Sequence, residues 1–274
     1  MAGLLLISNG WVALIVCAIG NACFHVGGGI DSLVRAKGKM SRSGIFVSSG
    51  AIGVVLGTIS GKSSISLLLP ILLIVASLVL VGFASGRHMK ASIEKPITFN
   101  TASNYLPFSI VLILCFVSIM IRSYVGSILP IEWKTTDFLF VLPAIGACVG
   151  KALGGFIADA FGAQRTGVLT LIVAIPFFIF GYTSPLVCTL GILLFNMSMA
   201  ITLCAVAAKL PHNPGLAFGI TTLGLLCGNI PTFFLTPQLQ TVLPIICILT
   251  IASAICIFFA VSNLKGESRN EKTV

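Results

Sequence analysis

The sequence predicts an all-α integral membrane protein, and three observations carry that prediction. The chain is 57% hydrophobic and only 8% charged, with mean hydropathy +1.11, against roughly 25% charged residues in a soluble domain. Its apolar residues fall into nine runs, each near the roughly 20 residues a helix needs to cross a bilayer. Its basic residues collect in alternate loops between those runs. A chain so poor in polar groups has too little polar surface to face water, so the soluble class is excluded.

The nine runs cover about 11–34, 44–61, 65–85, 106–128, 137–158, 166–183, 185–208, 215–236 and 240–262. Residues 1–8, MAGLLLIS, are apolar but too few to span, and they read as a stub. Turn chemistry separates the runs: SNG at 8–10, KGKMSRSG at 37–44, SGKSS at 60–64, TSP at 183–185, LPHNPG at 210–215 and TPQLQ at 236–240. The start lacks the basic residues that open a secretory leader.

The formal charge of +9 does not point to nucleic acid, because the cations form no stripe on a soluble domain. If the helices alternate, Arg35, Lys37, Lys39, Arg42, Arg87, Lys90, Lys95, Arg165, Lys209, Lys265, Arg269 and Lys272 share one side. Lys62 and Lys134 lie on the other, and Arg122 and Lys151 lie inside runs. The asymmetry makes the first side cytoplasmic. It predicts a multi-pass protein of the cell membrane with its C-terminus inside and the lipid bilayer as its main partner. Trp11, Trp133 and Tyr182 fall at the outer interface, where amphipathic rings settle. The nine cysteines stand singly in apolar runs without a CxxC pair. They read as buried small hydrophobes, with no metal and no cofactor expected.

The chain also repeats itself. Displaced by 171 residues, Gly10-Trp11 meets Gly181-Tyr182, Gly20 meets Gly191 and Phe24 meets Phe195. At the same offset Gly44, Gly53 and Gly57 meet Gly215, Gly224 and Gly228. Six helices separate the copies, so both keep one orientation, and parallel halves of this kind are a transporter architecture. The expected division is 1–85, the remainder of an N-terminal bundle; 86–105, a cytoplasmic connector; 106–264, a six-helix bundle; and 265–274, a cytoplasmic tail. The offset sets Met1 against Ile172, mid-helix. The first half therefore lacks two helices and most of a third, and the sequence predicts a shortened form of a twelve-helix plan.

One loop sharpens the class. GGFIADAFGAQRTG, 154–167, resembles the loop signature of the major facilitator superfamily, with Gly155, Asp159, Gly162 and Arg165 at its defining positions. Gly155 permits close helix approach, and Asp159 can sit at another helix's positive N-terminus. Gly162 permits a tight turn, and Arg165 offers the carboxylate a partner. Ala160 stands where the family usually has a basic residue. GNACFH at 20–25 and Arg122-Ser123 resemble elements of the fosmidomycin-resistance-type subgroup, although Val26 replaces its usual proline. The resemblance spans helices four to twelve of the family. It implies a two-bundle fold and proton-coupled transport of a small solute, including efflux of drugs or metabolites, by a monomer.

Ionisable groups at membrane depth are costly and are functional candidates by default. By the family's plan, His25, Arg122 and Asn196 fall on cavity-lining helices, with Asn196 the repeat counterpart of His25. His25 reads equally as a hydrogen-bonded core histidine, and Arg122 can instead snorkel outward. Lys151 lies beside Gly146, Gly150 and Gly154, a small-xxx-small seam. It can pair with a carboxylate or carbonyls, or face the cavity. Gly53, Gly57, Gly224 and Gly228 read as further packing positions. Asp31 is a candidate proton carrier with His25, or an i,i+4 partner of Arg35. Arg122 and Lys151 point to an anionic or phosphate-bearing solute.

GxxxGKA at 146–152 mimics a phosphate loop but is one residue short, has Ala152 for Ser/Thr and follows no strand. No hydrolase signature is present, so the chain does not read as an enzyme. The rival readings are a membrane protein that inserts but cannot transport and, more distantly, a lipid-modifying enzyme.

Overall fold

The computed structural model describes residues 10–63, 66, 68–85, 99–101, 106–235, 238–262 and 264–265. The expected stub at 1–8, nearly all of the connector and nearly all of the tail lie outside these residues. The helices are α1 (Gly10–Val34), α2 (Met40–Lys62), α3 (Leu68–Ser85), α4 (Phe108–Ile128) and α5 (Asp137–Phe161). They continue as α6 (Ala163–Gly181), α7 (Pro185–Asn196), α8 (Ser198–Lys209), α9 (Pro214–Asn229) and α10 (Leu239–Ala260). A short 3-10 turn, Ile230–Phe233, extends α9, and Asn100–Thr101 pairs antiparallel with Leu264–Lys265.

Among the described residues, eight candidate spans are long and apolar enough to cross a membrane, with α7 and α8 forming one of them, Pro185–Lys209. The chain is thus an all-helical membrane protein. The nine sequence runs become these eight spans and a shorter apolar helix, α3. No side chain of α3 from Leu68 to Phe83 is buried. Large apolar side chains such as Leu80, Phe180, Leu186, Phe234 and Ile248 point outward. A surface of this kind suits lipid and is unstable in water.

The run predicted as one helix at 185–208 carries a tightened turn. The Met197 N–H donates to Leu194 O, three residues back. Asn196 Nδ2 donates to Ile192 O, and Ser198 Oγ donates to Phe195 O. Both side chains bond carbonyls on the N-terminal side of the joint, the local side-chain-to-backbone bonding that accompanies irregular helical turns. Pro185–Lys209 is also the most enclosed span, with 72% of its apolar window buried. Ala200, Ala205 and Ala207 on α8 are fully or almost fully covered.

Glycines set the closest approaches. A Cβ on Gly146 would lie 2.8 Å from Thr189 O, and at Gly150 and Gly154 it would collide with Leu193 O and Met197 O. The seam predicted from spacing therefore seats α5 on the backbone of α7. At Gly44 a Cβ would fall 2.7 Å from Lys151 O, which fixes the crossing of α2 and α5. Gly228 seats on Met120 O, and Gly224 on the side chain of Ile119, 3.0 Å from its added Cβ.

Two sequence expectations need correction. Gly53 and Gly57 do not act as packing positions among the described residues: none of these lies within 4 Å of an added Cβ at either. Their counterparts Gly224 and Gly228 are covered by α4, and Gly191 by Phe177 and Phe178 of α6. Among the described residues no helix plays those parts for the first half, so Gly20, Gly53 and Gly57 stay open. Nor are all cysteines buried: Cys115, Cys188 and Cys204 are, but Cys17 and Cys23 are exposed on α1.

Candidate solute cavity

Four helix ends meet where α1 passes to α2 and α5 to α6. Gly38 takes φ +76° in the first turn and Gly162 φ +94° in the second, where L side chains are strained. Gly155 seats directly on the α2 N-terminus, with an added Cβ 2.7 Å from Met40 O. That approach brings the Asp159 carboxylate to the first orphan amides of α2. Met40 N–H donates to Oδ1 at 2.8 Å and Ser41 N–H to Oδ2 at 3.0 Å. The carboxylate so placed both caps α2 and faces the positive end of its dipole.

The expected partnership of Asp159 with Arg165 is not formed. Among the described residues no ion pair joins them, and Arg165 is exposed. Two backbone donors already occupy the carboxylate. Asp31 instead accepts from Arg35 Nε at 2.6 Å across one helical turn. Arg42 Nη1 donates to Arg35 O, so the basic loop is tied to itself.

Above this junction lies a cavity of about 760 Å³, within the range of small-molecule sites. Its wall draws on α1, α2, α4, α5, α8 and α9, and so on both copies of the repeat. His25, Arg122 and Lys151 all line it. Asn196 and Asp31 do not: Asn196 holds the α7–α8 joint, and Asp31 is exposed beside Arg35. The repeat sets Asn196 at the end of α7, whose residues are not among those that line the cavity, whereas the following helix α8 contributes Met199, Thr202 and Leu203. The Asn196 side chain turns to its own helix and donates to Ile192 O, one turn back.

Arg122 is 4% exposed, so it is buried rather than snorkelling. Its Nη1 donates to Ser198 Oγ at 2.7 Å and its Nη2 to Thr202 Oγ1 at 2.8 Å. Both acceptors are neutral, and Arg122 Nε has no partner among the described residues. Ser198 and Thr202 begin α8, just past the joint, so the tightened turn sets the guanidinium's position. Sequence reading missed both hydroxyls, although their spacing of four places them on one face of a helix.

Aromatic rings from α1, α2 and α9 form part of the cavity wall. The His25 ring stacks on Phe218 with centroids 6.3 Å apart, and Phe24 meets it edge-on at 5.7 Å. Phe46 and Phe218 meet edge to face at 6.0 Å. Gly28 and Gly29 are their sockets: an added Cβ would lie 2.6 Å from Phe46 and 2.5 Å from Phe218. The glycines after His25 therefore admit aromatic rings from α2 and α9. At the opposite end, Lys62 and Lys134 both lie over the Phe140 ring, 5.3 and 5.5 Å from its centroid. Trp133 Nε1 there donates to Tyr182 O at 2.9 Å. Desolvation holds Lys134 below the usual lysine range, with Cys188 opposing that shift.

No family model matches the chain, and no curated protein or solved structure matches it either. Functional assignment thus rests on the residues and their geometry.

Proposed function

We propose that the protein is a secondary active transporter of the major-facilitator type, moving a small solute by alternating access. The observation that carries this reading is the cavity: it lies between the two copies of an internal repeat and holds three basic side chains at membrane depth. In such proteins the halves rock about a midplane site. The Asp159 clasp on α2 and the Phe46 and Phe218 rings in their glycine sockets close one end. Release of both would open it. His25 is the proposed proton carrier, because an imidazole can take up and release a proton and His25 lies on the cavity wall. Asp31 is the weaker candidate, since it is committed to Arg35 and lies off the wall.

On this reading the protein works as a monomer in the cell membrane, with the C-terminus and the Asp159 junction cytoplasmic. It performs no covalent chemistry and binds no nucleic acid. Export of drugs or metabolites is the proposed direction, by its resemblance to the fosmidomycin-resistance-type subgroup.

Reconstituted liposomes with an internal pH dye test this reading. A solute panel added under an imposed pH gradient should produce solute-dependent proton flux. His25→Ala should remove the pH dependence of that flux. Absence of both proton flux and solute uptake across the panel, with lipid turned over instead, would sink the transport reading in favour of an enzyme. A second reading, an inserted protein that cannot transport, is favoured by Gly20, Gly53 and Gly57, which stay open among the described residues, and by α3, whose side chains from Leu68 to Phe83 those residues leave unburied. Saturable solute binding without uptake would establish it.

A further inference from the structure

The cavity's chemistry says more than that a solute fits. Among the described residues, its wall contains Arg122, Lys151 and His25 but no aspartate or glutamate. Asp159 is engaged by the Met40 and Ser41 amides, and Asp31 by Arg35. Neither neutralises the cavity. A buried guanidinium without a counter-charge is costly, and two neutral hydroxyls recover only part of that cost. Arg122 Nε, enclosed and without a hydrogen-bond partner among the described residues, leaves a charge-assisted donor to satisfy.

Apart from the hydroxyls of Ser48, Ser49, Thr202, Thr221 and Thr222, the rest of the wall is apolar. Phe24, Phe46 and Phe218 form an aromatic floor, with Leu225 and Val54 among the other apolar groups. A small inorganic ion would leave this floor uncovered and most of the 760 Å³ empty.

We propose that the cavity binds an amphipathic organic anion, its acidic head held by Arg122 and Lys151 and its apolar body on the phenylalanine floor. The proposal names the substrate class of the transport site proposed above and in that sense rests on that reading. It concerns equilibrium binding, so its failure and that of transport are separable. The anion's source is either a dissolved organic acid or an anionic lipid, whose heads share this chemistry.

Calorimetric titration of the full chain in phosphatidylcholine nanodiscs tests it. The probes are 4-phenylbutyrate, 4-phenylbutanamide, 4-phenylbutylamine, butyrate and inorganic phosphate. Phenylbutyrate should bind at least about tenfold more tightly than its amide or amine, as expected for charge-assisted bonds. Butyrate and phosphate, lacking the ring, should bind more weakly. Arg122→Gln should abolish the preference for carboxylate over amide, Arg122→Lys should retain part of it, and Lys151→Gln should reduce it. Thermal melting of each variant separates lost binding from lost folding. Should Arg122→Gln not fold, the wild-type series alone decides.

Equal binding of carboxylate, amide and amine would overturn the proposal, as would preference for the amine or no binding by any probe. Preference surviving in folded Arg122→Gln/Lys151→Gln would overturn it too. Phosphatidylglycerol in the nanodisc separates the sources. Competition with phenylbutyrate assigns the site to a lipid anion, and its absence assigns it to a dissolved one. Anion-selective binding without proton flux would support this site while refuting coupled transport. Flux without anion selectivity would do the reverse.

Discussion

At the residue scale, function turns on which charges are already spent. Asp159 is committed to two backbone amides at the α2 N-terminus. Asp159→Asn keeps the shape but loses the charge and one acceptor. It should cost about 1–2 kcal/mol of stability, the usual worth of a cap with its dipole interaction. Arg165→Ala, removing a side chain with no ion pair to Asp159, should melt within about 0.5 kcal/mol of wild type, as distant surface changes do. Thermal unfolding in detergent compares them. Equal losses would restore the Asp159–Arg165 pairing that sequence reading expected.

At the element scale, identical glycine spacing has two different consequences. Gly150→Ala forces a Cβ onto Leu193 O, backbone that cannot swing aside. It should cost about 1–3 kcal/mol as overpacking. Gly53→Ala meets nothing and should be neutral or stabilise by about 0.5–1 kcal/mol through helix propensity. The check is the difference between their melting temperatures. The sockets make a related prediction. Gly29→Val displaces Phe218 and should loosen the aromatic closure. In a cysteine-free background carrying Thr221→Cys, maleimide added from the Asp159 side should then react faster. An unchanged labelling rate would return the rings to simple packing.

At the scale of the whole molecule, charge asymmetry and the repeat together predict orientation. Single cysteines replacing Asn213, in the α8–α9 turn, and Glu132, in the α4–α5 loop, should label from opposite faces of intact cells with an impermeant maleimide. Labelling of both from one face would break the alternation on which the basic-side assignment depends. The same scale explains why α1 and α2 look unlike their counterparts. Gly20 and Gly53 sit in the same local pattern as Gly191 and Gly224, yet only the second pair is covered.

The amino-acid order by itself determined the class, the runs and the small-residue seam. Hydropathy, turn chemistry and four-residue spacing are local properties, and a helix must satisfy its own backbone in lipid whatever its neighbours do. It also placed His25, Arg122 and Lys151 as costly groups in spans. Only the tertiary structure decided that these three share a cavity while Asn196 and Asp31 do not. Of the two partners the sequence offered Asp159, it chose a helix N-terminus, that of α2, over Arg165, and it made Gly28 and Gly29 sockets for rings more than a hundred residues apart in the chain. Those outcomes depend on which helix arrives opposite, and on which donors are already bonded when it does. Both are non-local facts, since packing and polar satisfaction are settled between elements rather than within them.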